Sequence, residues 1–191
     1  MNKKSISEKY TSNSAGFTMI ELIIVIAIIA IMIGGSVVGF NLLNQGDAKA
    51  TIKDISSQLA ELRTDTLSLD GIWTAEIYRD GNTYKLDIKK DLNNVVELIS
   101  STSIGSKTVI TYNDSNTGSY EIKDDIKIVV EFNKGDGKIK SVKKFHGSSV
   151  DGESVIEGTS RNGAFIVSSK SSSTNNTLTL WYLTGKVTTD Y

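Results

Sequence analysis

The sequence predicts an α+β protein: one long N-terminal helix packed on an antiparallel β-sheet head. Three observations carry that expectation. GFTMIELIIVIAIIAIM, residues 16–32, opens an apolar run. Apolar residues at helical spacing then continue to about Leu69, and beyond Gly71 short β-type segments alternate with turn signals.

Composition narrows the chemistry. The chain has 191 residues, enough for one globular head with an appended segment. Its formal net charge of -1 gives no reason to expect nucleic acid as the main partner. There are no cysteines, which removes disulfides, thiolate metal sites and cysteine nucleophiles together. The single histidine, His146, sits among Lys143, Lys144 and Phe145 and reads as a surface residue rather than a metal ligand. Proline is absent, so every break must be made by Gly, Asn, Asp or Ser.

The first sixteen residues hold Lys3, Lys4 and Lys9 against Glu8, concentrating basic character before the apolar run. Residues 17–40 form a stretch of roughly 24 residues, about 36 Å long as a helix and sufficient to cross a bilayer. The lysines before it place the N-terminus in the cytoplasm and the C-terminal head outside. A secretory signal peptide is the competing reading. Against it, the run exceeds a usual h-region, and the small residues Ser14-Ala15-Gly16 precede it rather than close it. Glu21, near the start of the run, also weighs against it. A carboxylate in hydrocarbon costs at least ~2.5–3.5 kcal/mol, so it marks a functional position with a partner.

Gly16-Phe17-Thr18-Met19-Ile20-Glu21-Leu22, followed by an unbroken apolar run, closely resembles the class III leader junction of type IV pilins and type II secretion pseudopilins. The resemblance implies cleavage by a prepilin peptidase between Gly16 and Phe17, followed by N-methylation of Phe17. It makes Glu21 the fifth mature residue, a carboxylate that meets a Phe17-type α-ammonium as subunits pack helix against helix and so fixes axial register. Opposite charges in a low-dielectric environment attract strongly, and removing one leaves the other uncompensated. The partners implied are prepilin peptidase, other pilin or pseudopilin subunits, the pilus assembly platform and cytoplasmic membrane lipid. No cofactor is implied. The location implied is the cytoplasmic membrane in a single pass, then an extracellular or periplasmic filament.

Beyond residue 40, Ile52, Ile55, Leu59, Leu62 and Leu69 mark one helical face, and Gly71 is a plausible stop. A helix from residue 17 to about residue 69 is expected. Many members of the resembled family carry a proline near the position of Val38, which this chain lacks. Gly34-Gly35-Ser36 and Gly39 are expected to supply a local weakness or close helix packing instead, and Gly46-Asp47 a second break. The organisation is therefore a leader over 1–16, a transmembrane or filament-core helix over 17–40, its amphipathic continuation over 41–70, and a β-rich head over 71–191.

In the head, residues 73–79 and 83–88 flank Asp80-Gly81-Asn82, a strong hairpin signal. Further strands are expected at 107–112, 119–123, 126–132, 138–145, 164–168, 177–183 and 186–189, giving a sheet of six to nine strands. Gly135-Asp136-Gly137 and Thr184-Gly185 fit tight turns, and residues 91–100 read as a short helix or an irregular connection. The closing pattern, 163–167 then 179–187, loosely resembles the C-terminal hairpin of minor pseudopilins of the H class.

Other candidates reduce to structure. The loop 170–176 reads as a solvated connection before an exposed recognition or glycosylated loop. Asp114-Ser115-Asn116-Thr117-Gly118 lacks the bidentate acid of a calcium loop and reads as a turn. Lys138, Lys140, Lys143 and Lys144 with Phe145 read as a solvated face rather than a DNA patch. Trp73, Trp181 and Tyr182 read as core or sheet aromatics. No catalytic constellation stands out, so the expectation is no enzyme but a structural filament subunit, leaning toward a minor pilin through head size and the lack of a disulfide-bounded loop. The alternatives are a DNA-binding minor pilin for DNA uptake and a single-pass membrane protein that never polymerises.

Overall fold

The computed structural model describes residues 17–114, 118–155, 162–170 and 175–191, with the side chains of 35–45 and 151–155 outside that description. Residues 1–16, with the expected leader and Gly16, and most of the loop 170–176 lie outside the described residues. By contacts the chain divides into two units, Met1–Gly39 and Phe40–Tyr191.

The helix α1 runs over Met19–Ser68. It is continuous through Gly34, Gly35, Gly39 and Gly46, so the expected second break at Gly46-Asp47 is corrected: one glycine costs ~1 kcal/mol, too little to interrupt a helix held by its neighbours. In the first unit every described side chain of α1, over residues 19–34, is exposed on all sides of the helix. Among the described residues no helix is long and apolar enough to cross a membrane. The described apolar stretch 19–34 rises only ~24 Å against a hydrocarbon core of ~30 Å, and the rest of the expected span 17–40 lies where side chains are not described.

In the second unit α1 shows the face its spacing predicts. Ile52, Ile55 and Leu59 are fully buried, Leu62 nearly so, and Thr66 takes the next inward position. Leu69 does not join them: it follows the last helical residue and is 45% exposed.

Eleven strands follow: β1 Ile72–Asp80, β2 Thr83–Leu92, β3 Val95–Gly105, β4 Thr108–Asp114, β5 Gly118–Glu121, β6 Ile126–Phe132, β7 Ile139–His146, β8 Ser149–Val155, β9 Asn162–Ser169, β10 Asn175–Trp181 and β11 Lys186–Asp190. They form two antiparallel sheets rather than the single sheet expected, a six-stranded one in the order β3-β2-β1-β6-β7-β8 and a five-stranded one in the order β11-β10-β9-β4-β5. Strands and turns are local properties, whereas allotment to two sheets is set by long-range pairing such as β1 with β6 and β4 with β9.

The two strands not expected, β3 and β8, have clear causes. Asn93 and Asn94 both take positive φ, 57° and 65°, and close a two-residue hairpin between Leu92 and Val95. Residues 95–99 lack polar and apolar alternation because all five are exposed. In β8, Gly152 with Asp151 and Glu153 lowers the strand signal, and pairing with β7 overrides it.

The core is one cluster drawn from α1 and both sheets, including Ile55 and Leu59 of the helix, Ile77 and Leu86 of the larger sheet, and Phe165 and Leu180 of the smaller. Each such side chain contributes about 1.5–3 kcal/mol on burial. Polar links join the sheets. The Tyr84 hydroxyl donates to the Ile122 carbonyl at 3.2 Å and accepts from the Ile110 amide at 3.4 Å, and the Ile139 amide donates to the Tyr182 carbonyl at 3.1 Å.

Candidate functional site

The helix N-terminus is where a carboxylate stands among exposed apolar side chains. Thr18 precedes the first helical residue, and its carbonyl accepts the first intrahelical bond, from the Leu22 amide at 3.2 Å. That makes Thr18 the N-cap and Glu21 the third helical residue. The Glu21 amide donates to Thr18 Oγ1 at 3.3 Å, and Glu21 Oε2 accepts from the Thr18 amide at 2.9 Å and from its hydroxyl at 3.1 Å. This reciprocal exchange is a capping box: two of the four orphan amides of the helix start are satisfied by side chains one turn apart. The positive end of the helix dipole also favours an anion placed there.

Only one carboxylate oxygen is used. Oε1 of Glu21 accepts no hydrogen bond among the described residues, and the side chain is exposed. Phe17, immediately before the cap, is 84% exposed. Around this anion Ile20, Leu22, Ile23 and Ile24 are each more than half exposed. A helix that is apolar all round and uncovered calls for lipid or other helices as its surroundings. The site thus offers a fixed anion with an open oxygen among exposed apolar side chains. Thr18 was not among the expected site residues, although Thr-x-x-Glu spacing is a sequence signature of a capping box.

The remaining candidates are placed as follows. Lys138 and Lys140 pair with Asp136 at 2.8 Å and Glu131 at 2.7 Å. Lys144 lies 4.0 Å from the centroid of the Tyr120 ring, a cation–π contact, and Lys143 sits on the outer face of the six-stranded sheet with Phe145. The lysines are dispersed among partners rather than gathered into a basic stripe. His146 is exposed and its Nε2 lies 2.6 Å from Asp125 Oδ2, which holds the Asp125 carboxyl below its usual range. Asp114, taken with the turn that follows, points inward instead, and its carboxylate accepts from the buried Tyr182 hydroxyl. Trp73 and Tyr182 are buried, whereas Trp181 is 40% exposed and donates to Thr188 Oγ1 at 3.0 Å.

A cavity of about 280 Å³ on the outer face of the six-stranded sheet is lined by Glu76, Tyr78, Asp87, Lys89 and Lys127 among others. Its charges answer one another: Glu76 takes Lys89 at 2.8 Å and Lys127 at 3.2 Å, and Asp87 takes the Tyr78 hydroxyl at 3.0 Å and the Ser101 hydroxyl at 2.6 Å. Among the described residues no group of three His, Cys, Asp or Glu converges as a metal site.

Residues 11–37 match the family model described as the prokaryotic N-terminal methylation motif. The match contains Gly16, Phe17, Thr18 and Glu21 and runs into the apolar helix. No curated protein and no solved structure gives a significant match to the chain.

Proposed function

From a chain that carries a class III prepilin leader with its methylation motif, we propose a type IV pilin-like or pseudopilin subunit with a structural, non-enzymatic role. Prepilin peptidase cuts between Gly16 and Phe17, and Phe17 becomes the methylated N-terminus. The helix beginning at Met19 holds the subunit in the cytoplasmic membrane, with the basic leader inside and the head outside, until the assembly platform moves it into a filament.

The observation that carries this reading is the capping box. Glu21 spends Oε2 on its own helix and keeps Oε1 open, with no cation beside it among the described residues and apolar side chains around it. In an apolar sleeve such an anion is stable once a cation reaches it, and an α-ammonium at the end of a neighbouring helix has the right charge and the right surroundings. The lean toward a minor subunit has no counterpart in the described fold. Reading the head as a DNA-binding surface draws no support from Lys138 and Lys140, which are already paired.

The test is the intact mass of the protein from membranes of cells with and without prepilin peptidase. Peptidase-dependent loss of residues 1–16 with one added methyl group is expected. An unprocessed chain, or one cut beyond the apolar run, overturns the proposal in favour of a plain anchor or a secretory signal.

A further inference from the structure

The β2–β3 hairpin leaves Leu92, Val95, Val96, Leu98 and Ile99 between 44% and 68% exposed. Edge strands are ordinarily shielded by charge, proline or short length, yet β3 has eleven residues and Glu97 is its one charged side chain. Glu97 is exposed and forms no ion pair among the described residues. The pairing of Ile72 with Asp91 sets the hairpin turn beside the C-terminal end of α1, where β1 begins.

Near the start of the same unit, Lys49, Ala50 and Lys53 of α1 form with Tyr191 a largely apolar groove of about 260 Å³. Both lysines are exposed and form no ion pair among the described residues. Lys49 and Ser68 are nineteen residues apart in the helix, about 28 Å along its axis. An apolar tip with an open anion and an apolar groove with two open cations thus stand at opposite ends of one unit, where a single chain cannot join them.

We propose that the hairpin of one copy seats in the groove of the next, with Glu97 against Lys49 and Lys53. This rests on the filament reading above. The two surfaces differ, so the contact is heterologous and repeats without closing unless the rotation between copies makes a ring. The chain is then a subunit that recurs along the filament, each head in contact with the next.

The absence of native cysteine makes the test direct. The full-length Val95→Cys, Lys53→Cys chain, with Val95 on the same face of β3 as Glu97, is expressed in assembling cells, and sheared filaments are oxidised and run without reductant. A ladder of linked multimers that requires both cysteines is expected. Filaments that contain the variant but release only monomer, or that release dimers with Val95→Cys alone, overturn the inference and leave the filament reading intact. Failure of the wild-type chain to enter filaments overturns that reading and this inference with it. Both positions are exposed, so folding is not at stake; independently, Glu97→Lys is expected to lower filament yield at least several-fold, and adding Lys53→Glu to restore most of it. A defect that Lys53→Glu leaves unrelieved also overturns the pairing.

Discussion

Arg63 Nε donates to the Gly137 carbonyl at 2.8 Å, while Nη2 of the same side chain donates to the Thr184 carbonyl at 3.1 Å. One helical side chain thereby ties the β6–β7 turn of one sheet to the β10–β11 turn of the other. Gly137 and Gly185 both take positive φ, 65° and 63°, and a Cβ at Gly185 would overlap the Gly137 carbonyl, so the turns meet through bare backbone. Hydrogen bonds from a charged donor are worth ~1.5–3 kcal/mol each, with the exposed one at the low end. Arg63→Ala is expected to destabilise the protein by about 3–4.5 kcal/mol, lowering Tm by roughly 6–18 °C in calorimetry of the detergent-solubilised chain. Arg63→Lys should recover less than half, because an ammonium cannot reproduce the planar fork. Equal melting of all three chains would refute this role.

A second site of close fit lies inside the smaller sheet. Tyr112 and Tyr182 hydroxyls bond each other, Tyr182 donates to the buried Asp114 carboxylate, and Tyr112 lies 3.5 Å from it. Gly163 sits opposite, where a Cβ would overlap both hydroxyls. Gly163→Ala should therefore cost at least ~1–3 kcal/mol through overpacking. Tyr182→Phe is expected to cost more than Tyr112→Phe, since it removes the nearer donor from a buried carboxylate, a loss of about 2–3 kcal/mol. Urea midpoints of the three variants give the order, and a reversed order of the two phenylalanine variants would contradict the assignment.

The parts of this fold legible in the sequence are those set by neighbours along the chain. Ile52, Ile55, Leu59 and Leu62 announce a helical face by spacing alone, and Asp80-Gly81-Asn82 announces the first hairpin. The split into two sheets is not local: it depends on pairings such as Thr111 with Ile166, and on Tyr84 and Arg63 reaching across to distant backbone. The strand β3 was hidden for another reason. Its first five residues are exposed on both faces, so burial imposes no alternation on them. At the functional site, Glu21 stands out as a charge in an apolar run, whereas the capping role of Thr18 is masked by the hydropathy of everything after it.

The phenol of Tyr78 gives a pH signature. Burial first, then its hydrogen bond to the Asp87 carboxylate, pushes it up to about 12. An unfolded tyrosine titrates near ~10, so below that pH both states are protonated and the contribution to stability is fully present. As pH rises from about 10 toward 12 the unfolded chain loses its proton first, and stability falls until the folded phenol has ionised as well. Burial also raises Tyr84 and Tyr112, so they share the effect. Tyr78→Phe should reduce, without abolishing, the decline in urea midpoint between about pH 9 and about pH 11.5. An unchanged slope would remove Tyr78 from this account.

The last prediction separates the two tasks of Glu21. Its Oε2 oxygen caps the helix through Thr18, and Oε1 accepts no hydrogen bond among the described residues. If the cap served helix stability alone, Glu21→Ala and Thr18→Ala would have similar consequences, since each breaks one half of the same reciprocal capping exchange. If the anion also receives an ammonium in an apolar interior, the two must diverge. Glu21→Ala leaves that ammonium uncompensated and should abolish filaments while the protein still enters the membrane. Thr18→Ala keeps the charge but frees its rotamer, so filament yield should fall several-fold without vanishing, and Thr18→Ser should stay near wild type because its hydroxyl still caps. The readout is the ratio of sheared-filament to membrane-bound protein for each variant. A Glu21→Ala chain that assembles as well as wild type would reduce Glu21 to a helix cap and return the question of what holds the subunits in register.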